Sequence, residues 1–219
     1  MTTTSTDKPD VNEMKVIHRV FRRELTALPG LVRRTPDGDR DRAEVVGRHA
    51  QFILSGLHIH HTGEDENLWP LLLERAQPSA DLVRTMQAQH ERVHENVDRC
   101  QELLDRWRPE PSSATGVQLA SAVEQLNQAL FEHLDQEERE ILPLAEEHVS
   151  VAEWARLGEH GRDSMSRDEL PLMFGAILEE ANPDERAQML ALVPFPVRMI
   201  LRTVGARQYS RYISNVRSG

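Results

Sequence analysis

The chain has 219 residues, of which 39% are hydrophobic, 28% charged and 5% aromatic. That length supports one domain with a full core, or a domain plus an appendage. A formal net charge of −10 argues against nucleic acid as the main partner, because neutralising phosphates needs a basic face. A single cysteine, Cys100, rules out an intrachain disulfide and fits a reducing cytoplasm best.

The opening stretch, MTTTSTDKPD, has no apolar signal region, and no apolar run approaches membrane-spanning length, so no membrane insertion is expected. Scarce aromatics and nearly absent alternating β-branched runs favour helices. Ten histidines stand beside the one cysteine, so any metal site here is built from imidazole and carboxylate.

Four long amphipathic patterns fill residues 10–148. The first carries Met14, Ile17, His18, Phe21, Leu25 and Leu28 at three-and-four spacing and is predicted to stop near Pro29-Gly30. The second runs from about Asp41 to Glu74, with Val46, Ile53, Leu57, His60, Glu64, Leu68 and Leu71 on one face. The third, from about Ala80 to Trp107, carries Val83, Met86, His90, His94, Val97 and Leu104. The fourth, from about Ser113 to Glu147, carries Leu119, Val123, Leu126, Leu130, His133, Glu137, Ile141 and Leu144. Short connectors rich in Pro, Gly, Asp or Ser make sequential helices antiparallel neighbours. The expected fold is all-α: an up-down-up-down four-helix bundle.

Residues 149–219 read as a helical extension packing on that bundle. Ser150 and Glu153 form a capping-box pattern ahead of Trp154 and Leu157, and Asn182-Pro183 reads as an N-cap followed by a first-turn proline. From Pro183 onward six arginines face two acids, Asp184 and Glu185, a net +4, which favours docking on the acidic bundle over a membrane surface.

Each apolar stripe is interrupted by polar residues where an apolar one is due: His18 on the first helix, His60 and Glu64 on the second, His90 and His94 on the third, His133 and Glu137 on the fourth. Residues four apart share a helix face, so each pair can converge on one interior point. A glutamate buried without a partner would take up a proton rather than stay charged. Two glutamates and five histidines together therefore call for cations, and seven ligand groups suit two ions bridged by the carboxylates. A lone His18 would more often be a hydrogen-bonded core residue, and His90-xxx-His94 alone is only a common chelating geometry. The repeat settles the weighting. HHTGEDENLWP (60–70) and HLDQEEREILP (133–143) both place a glutamate four residues after a histidine and a proline six further on. Leu54, Leu57 and Leu68 also define a stripe through His61; His58 and His61 are nevertheless expected at surface or supporting positions. His49, His148, His160, Glu66, Glu138 and Glu140 are expected to be solvated, and Cys100 to be a small buried side chain.

The ordered set His18, His60-xxx-Glu64, His90-xxx-His94 and His133-xxx-Glu137 resembles the hemerythrin and HHE cation-binding family of four-helix di-iron proteins, over residues from about 10 to 146. The resemblance implies two iron ions bridged by carboxylates and an oxo or hydroxo group. His90, His94 and His133 would bind one, His18 and His60 the other, with Glu64 and Glu137 bridging and an open position on the two-histidine iron. Oxygen-carrying hemerythrins have an aspartate five residues after the last histidine. This chain has Glu137 at plus four, as HHE proteins do, with Glu138 at plus five as the fallback ligand.

A di-ferrous centre of this kind could pass two electrons to a small oxidant. Expected partners are hydrogen peroxide, dioxygen or nitric oxide, in oxidative-stress defence; as an enzyme it would decompose peroxide as a catalase does. Reversible binding or redox sensing without turnover is the alternative. Iron handling or iron–sulfur repair ranks third, since the sequence does not offer two ferroxidase-type Glu-xx-His elements. The chain is expected to be a monomer or weak homo-oligomer.

Overall fold

The computed structural model describes residues 8–191 and 193–218, and no strand occurs among them. The bundle is built from α1 (Asn12–Arg34), α2 (Arg40–Asn67) with its short continuation α3 (Trp69–Arg75), α4 (Ala80–Trp107), and α5 (Ser113–Gln136) with its continuation α6 (Leu142–His148). Around the ring α1 packs on α2, α2 on α4, α4 on α5 and α5 back on α1. Asp39 caps α2 by accepting from the Arg42 N–H at 3.0 Å, and Ser112 caps α5 by accepting from the Thr115 N–H at 3.3 Å, so side chains satisfy end-of-helix donors.

Three helix ends differ from expectation. α1 does not stop at Pro29 but continues to Arg34. Proline lacks the N–H that would serve the Leu25 carbonyl; Asn127 of α5 replaces it, donating its side-chain amide to Leu25 O at 3.0 Å. The helix ends instead at Thr35, extended because Pro36 follows. The second and fourth helices are each broken just past their glutamate. α2 breaks at Leu68 ahead of Pro70. α5 passes into one wide turn, Glu137–Ile141, in which the Leu142 N–H reaches back five residues to Glu137 O, ahead of Pro143.

These bends divide the interior. One apolar cluster contains Phe21, Leu25, Leu57, Val93 and Leu130. A second, at the other end, contains Met14, Leu68, Trp69, Met86, Ile141 and Leu142. The histidine positions of all four helices fall between them in sequence, so the polar layer is sandwiched by apolar layers.

The extension comprises α7 (Val151–Ser164), α8 (Leu170–Glu180), α9 (Pro183–Ala191), α10 (Phe195–Ile200), a wide turn over Leu201–Gly205 and α11 (Ala206–Arg217). The Ser150–Glu153 capping box forms, and Asn182 Oδ1 accepts from the N–H groups of Asp184 and Glu185. α7 packs on α2, α8 on α1, and α11 on α8 and α2. Gly63 of α2 permits the first approach: a Cβ there would stand 3.1 Å from the His160 ring. The charge pattern is more mixed than a basic tail on an acidic bundle. Arg19 and Arg23 of α1 pair with Glu185 and with Glu179 and Glu180 of the extension.

His49, expected at the surface, is 1% exposed. Its Nδ1 lies 2.9 Å from the Tyr212 hydroxyl and its Nε2 3.3 Å from Glu24 Oε2. Glu24 also meets Arg23 at 2.8 Å and Arg217 at 3.1 Å. Burial opposes its ionisation, but the His49 and Arg23 bonds and charges outweigh it and bring its carboxyl down to about 2. This buried ionic knot joins α11 to the bundle.

Two outcomes follow. Asn127→Ala should lower stability by about 1–3 kcal/mol, the cost of stranding a part-buried carbonyl; adding Pro29→Ala, which restores the missing donor, should recover most of that in denaturant unfolding. Because the Glu24 carboxyl is depressed, its stabilisation is full above the unfolded pKa and lost as pH falls toward about 2. Glu24→Gln should therefore cost roughly 2–3 kcal/mol near neutrality and flatten the acid dependence of the unfolding midpoint below the usual glutamate range.

Candidate metal centre

Between the two apolar clusters, imidazole and carboxylate atoms gather into two groups that share one residue: His61, Glu64, His90 and His133 in one, His18, His60, Glu64 and Glu137 in the other, the ligand atoms of each lying within 4.8 Å of one another. Glu64 divides its oxygens between them. Oε1 is 3.3 Å from His60 Nε2, and Oε2 is 3.3 Å from His90 Nε2. Glu137 lies across the same gap, its Oε2 3.4 Å from His18 Nε2 and 3.5 Å from His133 Nε2. His90 Nε2 and His133 Nε2 are 3.2 Å apart.

Six of the seven side chains expected from the sequence are thus brought together, and His61 stands where His94 was expected. His94 is half-buried one turn further along α4, its ring 5.1 Å from that of His58. His61, expected at a surface or supporting position, is 1% exposed and stacks on His90 with centroids 4.1 Å apart. The two helices run antiparallel here, so one turn back on α2 matches one turn forward on α4. The His58–His94 pair therefore lies one level away from the cluster. Leu54, Leu57, Glu64 and Leu68 share the His61 stripe, and that spacing was the available signal.

The donor set is oriented from behind. His18 Nδ1 lies 2.9 Å from Glu138 Oε1, so Glu138 is not a free surface acid but a partner on the outer side of that ring. His90 Nδ1 lies 2.8 Å from Asp65 Oδ1, and Asp65 also accepts from the Trp69 indole at 2.8 Å. His133 Nδ1 faces Gln89 Oε1 at 3.2 Å, and Gln89 donates to Gln136 at 2.9 Å. The Nδ1 atoms of His18, His90 and His133 are thereby engaged while their Nε2 atoms face the carboxylates, the arrangement metal-binding imidazoles adopt. Asp65 and Gln89 were not anticipated from sequence; each adjoins a ligand-type residue but lies off the stripe that carries it, Asp65 exposed and Gln89 buried.

The inward atoms are the test of fit. His18 Nε2, His60 Nε2, His61 Nε2 and both oxygens of Glu64 and of Glu137 are buried with no hydrogen-bond partner among the described residues. Unsatisfied buried carboxylates on this scale are very costly unless cations neutralise them. Protonation equilibria agree. Burial holds His61 and His133 well below the usual imidazole range and brings His60 down to about 4, so their lone pairs are free. Burial and the Glu64 charge push Glu137 well up; burial would raise Glu64 too, but His60 and His90 bring it down to about 2. Without a cation the two carboxylates would share a proton; with one, both can ionise. Burial works against a charged His90, yet Asp65 and Glu64 raise it to about 9. A cation would displace its Nε2 proton while Asp65 retains the proton on Nδ1.

These helices belong to a known class. A family model, the Hemerythrin HHE cation binding domain, matches residues 10–145. The chain therefore belongs to that family, whose members bind metal cations, and the extension lies outside the match. Comparison with curated proteins and with solved structures finds no match for the chain.

Asp65→Ala and Glu138→Ala should each lower metal affinity by about 10–100-fold without unfolding the bundle, measured by competition with a chelator at fixed pH.

Proposed function

We propose that the layer holds two iron ions and that the protein reacts there with a small oxidant, hydrogen peroxide foremost, as part of oxidative-stress defence. The observation that carries the reading is Glu64, which turns one oxygen toward each histidine group. A carboxylate so divided bridges two cations. Its partner Glu137 spans the same gap.

His61, His90 and His133 would hold one ion and His18 and His60 the other, with both glutamates between. His94 would then lie outside the ligand set, and its half-buried place beside His58 supports that exclusion. Imidazole with bridging carboxylate suits iron, which when bound would supply two electrons' worth of redox change. The protein's own contribution is to keep His60, His61 and His133 neutral by burial, to orient the His90, His18 and His133 rings through Asp65, Glu138 and Gln89, and to exclude water from the layer. With fewer histidines on the His18 and His60 side, a position is left for the oxidant next to His60. Peroxide disproportionation, two molecules yielding two waters and one dioxygen, needs no further substrate. Dioxygen and nitric oxide are ligands of the same chemical size and could occupy the same position. Residues 10–148 would form the metal-binding unit and 149–219 its cover, in a reducing cytoplasm.

Metal analysis of chain expressed with ample iron should find about two irons per chain. His61→Ala and His133→Ala should each lose metal and stop gas evolution from peroxide, whereas His94→Ala should keep both. Metal loss in His94→Ala with retention in His61→Ala would reverse the ligand assignment, and protein free of metal would end the reading.

A further inference from the structure

Beside the histidine layer, between the α1–α2 face of the bundle and α7, α8 and α9, lies a cavity of about 470 Å³. Its inner edge is formed by His60 and Glu64, and four methionines line it: Met14, Met165, Met173 and Met189. Hydrogen peroxide, dioxygen and nitric oxide have two heavy atoms each and require no such volume. Ligand pockets for organic molecules occupy roughly 300–1,000 Å³, with mostly apolar walls and few polar groups. Methionine suits such a wall because its side chain is unbranched and polarisable, and so adapts to varied shapes.

The polar groups at the walls are already engaged or exposed. Glu13 accepts from the Trp154 indole at 2.8 Å, His60 and Glu64 face one another within the metal layer, and Arg162 lies on the solvent side. Among the described lining residues Glu13 is paired, Arg162 is exposed and Glu64 is turned to the metal layer, so none is set aside for a charged ligand. Apolar space of this extent attracts hydrocarbon rather than water, and left empty it forfeits the dispersion contacts of its whole lining.

We propose that this cavity is a binding site for an uncharged apolar organic molecule, held by the methionine wall with its inner end against His60. The site is formed jointly by the bundle and the extension, so the matched HHE domain alone lacks it. Its inner edge, His60 and Glu64, belongs to the metal layer, whereas the methionine wall contains no member of that layer, so metal content is measured alongside any ligand binding.

Bromobenzene is a suitable probe, because bromine quenches an indole on contact and Trp154 lines the cavity while Trp69 and Trp107 are buried elsewhere. In the full chain as purified, with its metal content measured alongside, bromobenzene should quench a saturable fluorescence component that Trp154→Phe removes. Gly161 lines the space, and a Cβ there would meet nothing within 4 Å. Gly161→Leu should therefore fill the cavity without collision and weaken saturable quenching by at least about tenfold, with circular dichroism and metal content unchanged. Ile59→Phe narrows the same space from α2 and should do likewise where Gly161→Leu lowers helicity. Quenching that never saturates in the parent chain, or that saturates equally in a folded blocking variant, overturns the proposal whatever the metal analysis shows.

Discussion

Two carboxylates buried without hydrogen bonds constrain everything else in this molecule. Glu64 and Glu137 are each 0% exposed, and none of their four oxygens has a hydrogen-bond partner among the described residues. Moving one such charge from water into an apolar interior costs several kcal/mol even after relaxation, a large part of the stability of a whole domain. Hydrogen bonding could offset that cost, but the groups facing these oxygens are imidazole Nε2 atoms, most of which burial keeps neutral. A lone-pair donor facing a carboxylate gains little from it. Both gain from a cation placed between them. The layer therefore makes physical sense only as the lining of a charged site, and this is the property the HHE family shares.

The rest of the bundle holds that lining in place against its own electrostatics. Without a cation the donors would separate or protonate, so their positions are fixed from outside by Asp65, Glu138 and Gln89 at the far ring nitrogens. Apolar clusters close the layer above and below. The break at Leu68 and the wide turn at Glu137 set the lower closure, because each turns the chain just after its glutamate and brings Trp69 and Leu142 across the end of the bundle. The duplicated proline thus acts on packing rather than on chemistry. It removes a donor six residues, nearly two turns, past the carboxylate, and the helix bends where it cannot continue unbroken.

What periodicity can carry, the sequence carried well: the bounds of α4 and six of the clustered side chains follow from spacing alone, whereas the two bends fall inside stretches that periodicity reads as continuous helix. The grouping of His61, and not His94, with the other inward side chains marks its limit. An inward helix face is wide enough to hold both His60 and His61, so both stripes through α2 were admissible. Which turn of α4 stands level with them depends on the axial offset between two helices, and no local pattern encodes it. His49 and Pro29 were misjudged for a related reason. Their partners, Tyr212 and Asn127, are far away in sequence, and a buried histidine or an unbroken proline helix is legible only once that partner is in place.

The extension then acquires a role that its absence from the family match would not suggest. Its α7 lies along α2 at Gly63, next to Glu64, and its inner side covers the edge of the layer where His60 is 8% exposed. Removing it would open that edge to water, and water would weaken each electrostatic interaction of the layer by raising the local dielectric. The ionic knot at Glu24 ties the far end of the extension to the same bundle face, so the cover is fastened at both ends with the cavity between them. A bundle that needed only to shelter a metal would be served by a close-packed cover. This one closes on α2 at Gly63 but leaves a space beside it, lined by Met165, Met173 and Met189 of the extension and Met14 of α1, and walls of that side chain adapt to the shape of what they meet.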